Sequence, residues 1–400
     1  MSSNPFRISN VQADFIYSFF LIFSGAAVLA TLALYSRQPL LVAYIALGCL
    51  LGPSGLKLIT NAELISDIAH AGIIFLLFLL GLDLQPKNLI QLSTRTAMGA
   101  IVSALVFTLL GFFIAQAFGL NILESIIVGI SGVFSSTIIG IKLLPTTVLH
   151  HRYTGQLVVN ILLLQDLLAI VVIIFLKPGD PGDAFIHLKD IATILITLPV
   201  LMFSAFGFVK YAFLPLLEKY DHFQEYIFLM SIGWCLGLAQ LAHSIGLSAE
   251  IGAFIAGISV ASSPISIYIA NSLKPLRDFF LVLFFFSLGA GFDLSLIKLI
   301  FFPAIIIAMG VLILKPVVFY LLLRNINESK ELSWEVGFRL GQNSEFSLLI
   351  AYMAANSAII SSTTSHIIQG ATILTFIVST YIVSFRYPSP IASSAKLRRD

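Results

Sequence analysis

Long apolar runs follow one another along almost the whole chain, at 12–34, 40–58, 64–82, 95–118, 122–145, 155–176, 189–213, 224–243, 247–262, 277–291, 297–323, 332–355 and 363–386. Charged residues or Pro/Gly punctuation separate them. A helix needs about 20 predominantly apolar residues to cross the hydrocarbon of a bilayer, and a soluble fold could not bury so many such segments. The chain is therefore read as an all-α polytopic membrane protein with thirteen transmembrane helices. Its 58% hydrophobic and 10% charged residues leave little chain for a soluble domain. Residues 15–35 form one continuous apolar segment, so the first run is a span rather than a short signal peptide. With a net charge of +2 and scattered Lys and Arg, no positive stripe exists for nucleic acid, which is excluded as a partner. Cys49 and Cys235 lie inside apolar runs and read as packing residues, offering neither a disulfide framework nor a metal site. No cofactor is expected.

Orientation follows from the distribution of positive charge, because cytoplasmic loops retain Lys and Arg. Threading the runs alternately through the bilayer puts 15 Lys and Arg on one side, among them Arg37, Lys87, Arg152, Lys219 and Arg324, and 5 on the other. Lys315 and Arg339 fall inside spans. The reading is an outside N-terminus and a cytoplasmic C-terminus in the plasma (inner) membrane.

Two short segments recur about 210 residues apart. Gly81-Leu82-Asp83-Leu84 resembles Gly291-Phe292-Asp293-Leu294, and Tyr44-Ile45-Ala46-Leu47-Gly48 resembles Ala253-Phe254-Ile255-Ala256-Gly257. Each step is seven spans, an odd number, so the copies face opposite ways across the bilayer. Inverted repeats of this kind belong to transporters whose substrate sites lie between the repeats near the midplane. The same offset relates Ser135-Ser136-Thr137 in the fifth span to Ser344-Glu345 in the twelfth. Gly132–Thr137 and Gly341–Phe346 are accordingly the two expected helix breaks, since unwound backbone at lipid depth needs polar partners. Ser and Thr often bond only their own helix. Gln342, Asn343 and Glu345 together are too polar for that alone.

An ionised group at the bilayer centre costs about 2.5–3.5 kcal/mol even on the lenient insertion scale, so each one calls for a reason. Asp166 lies near the middle of the sixth span, with apolar residues a full turn to either side apart from Gln165. A carboxylate held there is neutralised by a proton or by a cation, and alternation between the two is an exchange mechanism. Gln165, Ser135, Ser136 and Thr137 are the oxygen donors expected beside it. One carboxylate with neutral oxygens suits a monovalent cation, not a divalent one. Lys315 precedes Pro316, where the missing backbone donor is expected to open the eleventh span; the lysine counters the ends of broken helices or pairs with a carboxylate, with snorkelling as the plain alternative. Glu345 and Arg339 are six apart and share no helix face. Glu345 reads as a structural residue at a helix end, and Asp83 and Asp293 as capping groups.

Gly52-Pro53-Ser54-Gly55 matches the G-x-S-G of intramembrane serine proteases, but Ser54 would need a His base at equal depth and the motif reads better as a stop after the second span. A gated monovalent cation channel is the stronger alternative, because polar breaks can also line a pore.

Taken together, Phe134–Ile138, Leu164–Ile170, Gly246–Gly257 and Gly341–Phe346 resemble the successive motifs of the Kef-type branch of the monovalent cation:proton antiporter superfamily. The resemblance covers essentially the whole chain in order. It implies two inverted repeats of six helices plus a linker helix at 177–213. It also implies an ion-transporting core domain at 95–176 and 297–387 with crossed broken helices, a dimerisation domain at 1–94 and 214–296, and a cytoplasmic tail at 388–400. The implied function is antiport of a monovalent cation, potassium favoured over sodium, against protons, by a homodimer in the lipid bilayer. Asp166, Gln165, Ser135, Ser136 and Thr137 are the implied cation and proton site, and Lys315, Gln342, Asn343 and Glu345 its support. Kef-type systems carry an acidic loop between spans nine and ten. Here that stretch is Ser262–Lys274, without acidic residues, so glutathione-type gating is not expected. The family's nucleotide-binding regulatory domain would follow the last span and is not contained in the tail, so a cytoplasmic regulatory domain or subunit is expected as a partner.

Overall fold

A computed structural model describes residues 5–59, 62–83, 94–142, 153–176, 188–220 and 222–388. Among them the regular structure is helical throughout. The helices are α1 (Pro5–Tyr35), α2 (Leu40–Leu51), α3 (Ala62–Asp83), α4 (Thr94–Ala117), α5 (Ile122–Ser131), α6 (Thr137–Lys142), α7 (Tyr153–Phe175) and α8 (Leu188–Phe208). They continue with α9 (Leu214–Lys219), α10 (Gln224–Ser244), α11 (Ala249–Ala261), α12 (Ile265–Ala290), α13 (Ile297–Asn325), α14 (Lys330–Arg339), α15 (Glu345–Asn356) and α16 (Ser362–Arg386). A π-helical turn, Val209–Phe213, joins α8 to α9. Seven helical segments among the described residues are long and apolar enough to cross a membrane. Shorter apolar helical segments among the described residues are Leu40–Leu51, Ala71–Leu82, Ile122–Ser131 and Ala249–Ala261.

Each expected run carries helix, with two differences. The tenth apolar run covers 277–291, yet α12 begins twelve residues earlier, passing through Lys274, Pro275 and Arg277. Hydropathy reports where the chain leaves lipid, whereas a helix continues into polar surroundings as long as its backbone bonds are made. The eleventh was expected to open at Pro316, yet α13 runs unbroken through both Pro303 and Pro316. A missing donor is tolerated in a spanning helix, and Gly337 of α14 packs closely on this stretch, where a Cβ would come within 2.7 Å of the Pro316 carbonyl oxygen.

The chain divides into two compact units. The first comprises Met1–Ile73 and Asp278–Ser295. Its core gathers Ile22, Ala26, Leu47, Leu283, Phe286 and Ala290, with Phe23 stacked on Phe279 at 5.1 Å. Between membrane helices no hydrophobic driving force exists beyond packing, so close approach at small residues holds them together. Gly48 of α2 lies directly against the Phe286 carbonyl, and Gly289 of α12 against that of Ile45. After α2 the chain turns through Gly52–Leu56, the Leu56 amide returning to the Leu50 carbonyl at 2.7 Å. Ser54 is exposed in this turn, which is the stop expected there.

The second unit comprises Ile74–Arg277 and Leu296–Asp400. Within it the C-terminal half of α3 crosses α11 with Gly81 against the Phe254 carbonyl and Gly257 against that of Phe78. α10 packs on α11, where the Trp234 indole donates to the Ala256 carbonyl at 3.2 Å. Trp234 also stacks on Phe208, where α8 meets the π turn, at 4.8 Å. The largest group of packed helices is α4, α5, α7, α13, α14, α15 and α16. α4 and α5 meet at Gly111 and Gly129.

Candidate functional site

Two helices stop within apolar runs and restart. α5 ends at Ser131, residues 132–136 are turn and extended chain, and α6 begins at Thr137. α14 ends at Arg339, residues 340–344 are likewise unwound, and α15 begins at Glu345. These are the two segments in which breaks were expected. Unwound backbone exposes amides and carbonyls that a helix would have paired, and each must find another partner.

The partners tie the breaks to each other. Ser135 Oγ donates to the Leu340 carbonyl at 2.8 Å, and Ser347 Oγ donates to the Ser131 carbonyl at 2.6 Å. Lys315 Nζ donates to one carbonyl of each break, Phe134 at 2.6 Å and Gln342 at 2.9 Å. It also lies 3.4 Å from Ser135 Oγ and 5.6 Å from the centroid of the Phe107 ring. The lysine is 1% exposed. It does not snorkel; it meets one carbonyl of each unwound segment, groups that no helix pairs.

Behind the second break stands α16. The Asn343 amide donates to Thr375 Oγ1 at 3.0 Å and Asn343 Nδ2 to Thr372 Oγ1 at 3.2 Å. Ser379 Oγ donates to Gln342 Oε1 at 2.9 Å. Glu345 is the first residue of α15, directly after the Ser344 N-cap, in the turn where a carboxylate is favoured by the helix dipole. Arg339 closes α14 in an ion pair with Glu335 at 2.7 Å and donates to the Pro388 carbonyl at 2.8 Å.

In front of the first break stands α7. Asp166 is 1% exposed, and Thr137 Oγ1, in the first residue of α6, donates to its carboxylate at 3.1 and 3.2 Å. Ser136 Oγ accepts from the Ile139 amide at 3.1 Å, starting α6. Gln165, expected to offer its carbonyl oxygen to an ion, is bonded to the break: its Oε1 accepts from the Ser135 amide at 3.0 Å and its Nε2 donates to the Val133 carbonyl at 3.1 Å. Thr137 and Asp166 thus form the contact with anionic oxygen, while Gln165 and Ser136 fix the backbone around it. Thr372, Thr375, Ser379, Ser347 and Phe107 were not anticipated. A signal for the first three existed in the Ser and Thr recurring at 365, 372, 375, 379 and 384 of the last span.

Packed helices in a bilayer, two of them broken and tied at their breaks, define a class, the polytopic transporter fold, and comparison agrees. The chain is similar to the solved structure of the sodium proton antiporter MjNhaP1 from Methanocaldococcus jannaschii, with a TM-score of 0.64, 17% identity, and coverage of 93% of this chain and 96% of that one. At that identity the likeness speaks for the fold. Residues 20–386 match the family model described as sodium/hydrogen exchanger, transmembrane, and the chain belongs to that family of multi-pass membrane proteins. Its curated relatives include K(+) efflux antiporter 5 of Arabidopsis thaliana, 26% identical over 90% of this chain and 64% of the relative. Another is the glutathione-regulated potassium-efflux system protein KefC of Klebsiella pneumoniae (strain 342), 27% identical over 82% of this chain and 54% of the relative. The chain thus spans between half and two thirds of the length of these relatives. Both are transporters by name, not enzymes.

Proposed function

We propose that this chain exchanges a monovalent cation for protons across the membrane, with Asp166 binding the two in turn. The observation that carries the reading is the buried Asp166 carboxylate, met by the Thr137 hydroxyl beside a break that Lys315 ties to a second break. A carboxylate held at that depth is neutralised by a proton or by a cation, so the two compete for it. Potassium is favoured over sodium. A single carboxylate with few neutral oxygens makes a weak field, which suits the ion that sheds water more easily, and the potassium efflux named for the relatives points the same way.

The fuller architecture belongs to this proposal. Thirteen spans form two inverted repeats around the linker 177–213, with a core at 95–176 and 297–387 moving against a dimerisation scaffold at 1–94 and 214–296. The glycine contacts support the repeat: α2 meeting α12 at Gly48 and Gly289 corresponds to α11 meeting α3 at Gly257 and Gly81. The protein works as a homodimer in the plasma membrane, N-terminus outside, C-terminus cytoplasmic, under a cytoplasmic regulatory domain or subunit.

Reconstitution into liposomes with an imposed pH gradient tests the exchange. Wild type should move potassium in a saturable way that reverses with the gradient, with apparent affinity weakening as pH falls. Asp166→Asn keeps the shape and removes the titrating charge, and should abolish the flux. Undiminished exchange by that variant, or unsaturable conduction by wild type, would overturn the reading.

A further inference from the structure

The second break carries two amide side chains, and α16 grips one end of each. Ser379 donates to the oxygen of Gln342, which leaves the Gln342 nitrogen over. Asn343 is gripped the other way round. Its Nδ2 donates to Thr372 Oγ1, and because the nitrogen and oxygen of an amide stand on opposite sides of its carbon, Oδ1 is turned away from that hydroxyl. The bond from the Asn343 backbone amide to Thr375 Oγ1 fixes the residue at a second point. Oδ1 itself has no hydrogen-bond partner among the described residues, although Asn343 is 1% exposed. Buried acceptors are nearly always satisfied, so one that is held in place and left over calls for a ligand.

The surroundings say of which kind. Asn343 follows Gln342, whose carbonyl shares Lys315 Nζ with that of Phe134. Beside Phe134, the Ser135 amide donates to Gln165, the neighbour of Asp166, and Thr137 at the end of the same break donates to Asp166 itself. α7, which carries Asp166, packs against both α14 and α15, the helices on either side of Asn343. A carboxylate and an amide oxygen both repel an anion. A monovalent cation that has shed its water takes several oxygens in exchange, carbonyl oxygens among them. An oxygen whose amide is already locked by a second residue gives up little freedom in binding it.

We propose that Asn343 Oδ1 is a ligand of the monovalent cation bound at Asp166, with Thr372 as the positioning residue that turns the oxygen towards it. The inference rests on the exchange reading and adds a ligand to that same site. It gives the second break a direct part in binding: the first break brings Thr137 to Asp166, and the second brings Asn343. Gln342 has no such part, because its oxygen is taken by Ser379.

The test measures binding, without transport. The melting temperature of the full chain in detergent is followed at alkaline pH while potassium chloride replaces choline chloride at constant ionic strength, and the midpoint of the potassium-dependent rise gives an apparent Kd. Asn343→Ala removes the ligand and should raise that midpoint about tenfold or more, as loss of a partner to a charged group does. Asn343→Asp keeps an oxygen and loses the donor to Thr372, so it should bind at least as tightly as wild type. If Asn343 served only its bond to Thr372, the two variants would behave alike. Thr372→Val leaves the oxygen but not its orientation and should raise the midpoint several-fold, which keeps the test open if Asn343→Ala does not fold. A wild-type midpoint in Asn343→Ala, or in Thr372→Val where the alanine variant fails, overturns the proposal, as does a wild-type melting temperature indifferent to potassium. Asp166→Asn separates the two readings: its loss of the potassium response beside an unaltered Asn343→Ala strikes Asn343 alone, whereas the reverse pattern strikes Asp166 and keeps Asn343 as a ligand.

Discussion

Gln165 and Lys315 show what single side chains contribute to unwound backbone. Gln165 satisfies both a donor and an acceptor of the first break, and Gln165→Leu strands both. Each buried group left unpaired costs about 1–3 kcal/mol, so the variant should melt well below wild type in detergent, a loss visible in a thermal-shift measurement without any transport assay. Gln165→Glu keeps the acceptor for the Ser135 amide and loses the donor to Val133, and should fall between the two. The sequence makes Asp166 and Lys315 legible because a charge in an apolar run has no other excuse. It does not make legible what Gln165 does, since an amide beside a carboxylate can face either the ion or the backbone. The carbonyls of Phe134, Leu340 and Gln342 are less visible still, because every residue carries one and only the fold leaves these without helical partners.

Among helices, the glycine crossings decide which pairs can approach. A Cβ at Gly257 would run into the Phe78 carbonyl, with Gly81 Cα at 2.9 Å, whereas one at Gly237 in α10 would meet nothing within 4 Å. Gly257→Ala must therefore push α3 and α11 apart, and should cost about 1–3 kcal/mol or more, as overpacking does. Gly237→Ala only removes backbone freedom and should stabilise by up to about 1 kcal/mol. Apparent melting temperatures of the two variants should move in opposite directions; a common direction would mean that these crossings bear no load. The helix positions were largely readable, because hydrophobic length is a strong signal. Both breaks were readable too, since polar clusters interrupt otherwise apolar spans. The hydroxyls of α16 were not, because Ser and Thr in a helix usually bond their own preceding turn, as Thr380 does to Phe376 at 2.8 Å; that Thr372, Thr375 and Ser379 also serve the neighbouring break depends on which way α16 is turned.

For the whole molecule, the proposed chemistry fixes the electrical character of transport. One carboxylate trading one proton for one monovalent cation moves no net charge per cycle. Turnover in liposomes clamped at zero potential should equal turnover at a potential of either sign, although moving a full charge across 100 mV would be worth about 2.3 kcal/mol. A rate that follows the potential would show a second charge in motion, and Lys315→Gln would then be examined for restored electroneutrality.

Lys315 also limits the kinds of motion open to the core. Its Nζ holds the Phe134 and Gln342 carbonyls at once, and sliding one break past the other would leave these groups buried without partners. Under the proposed exchange, a movement of one break would therefore carry the other with it.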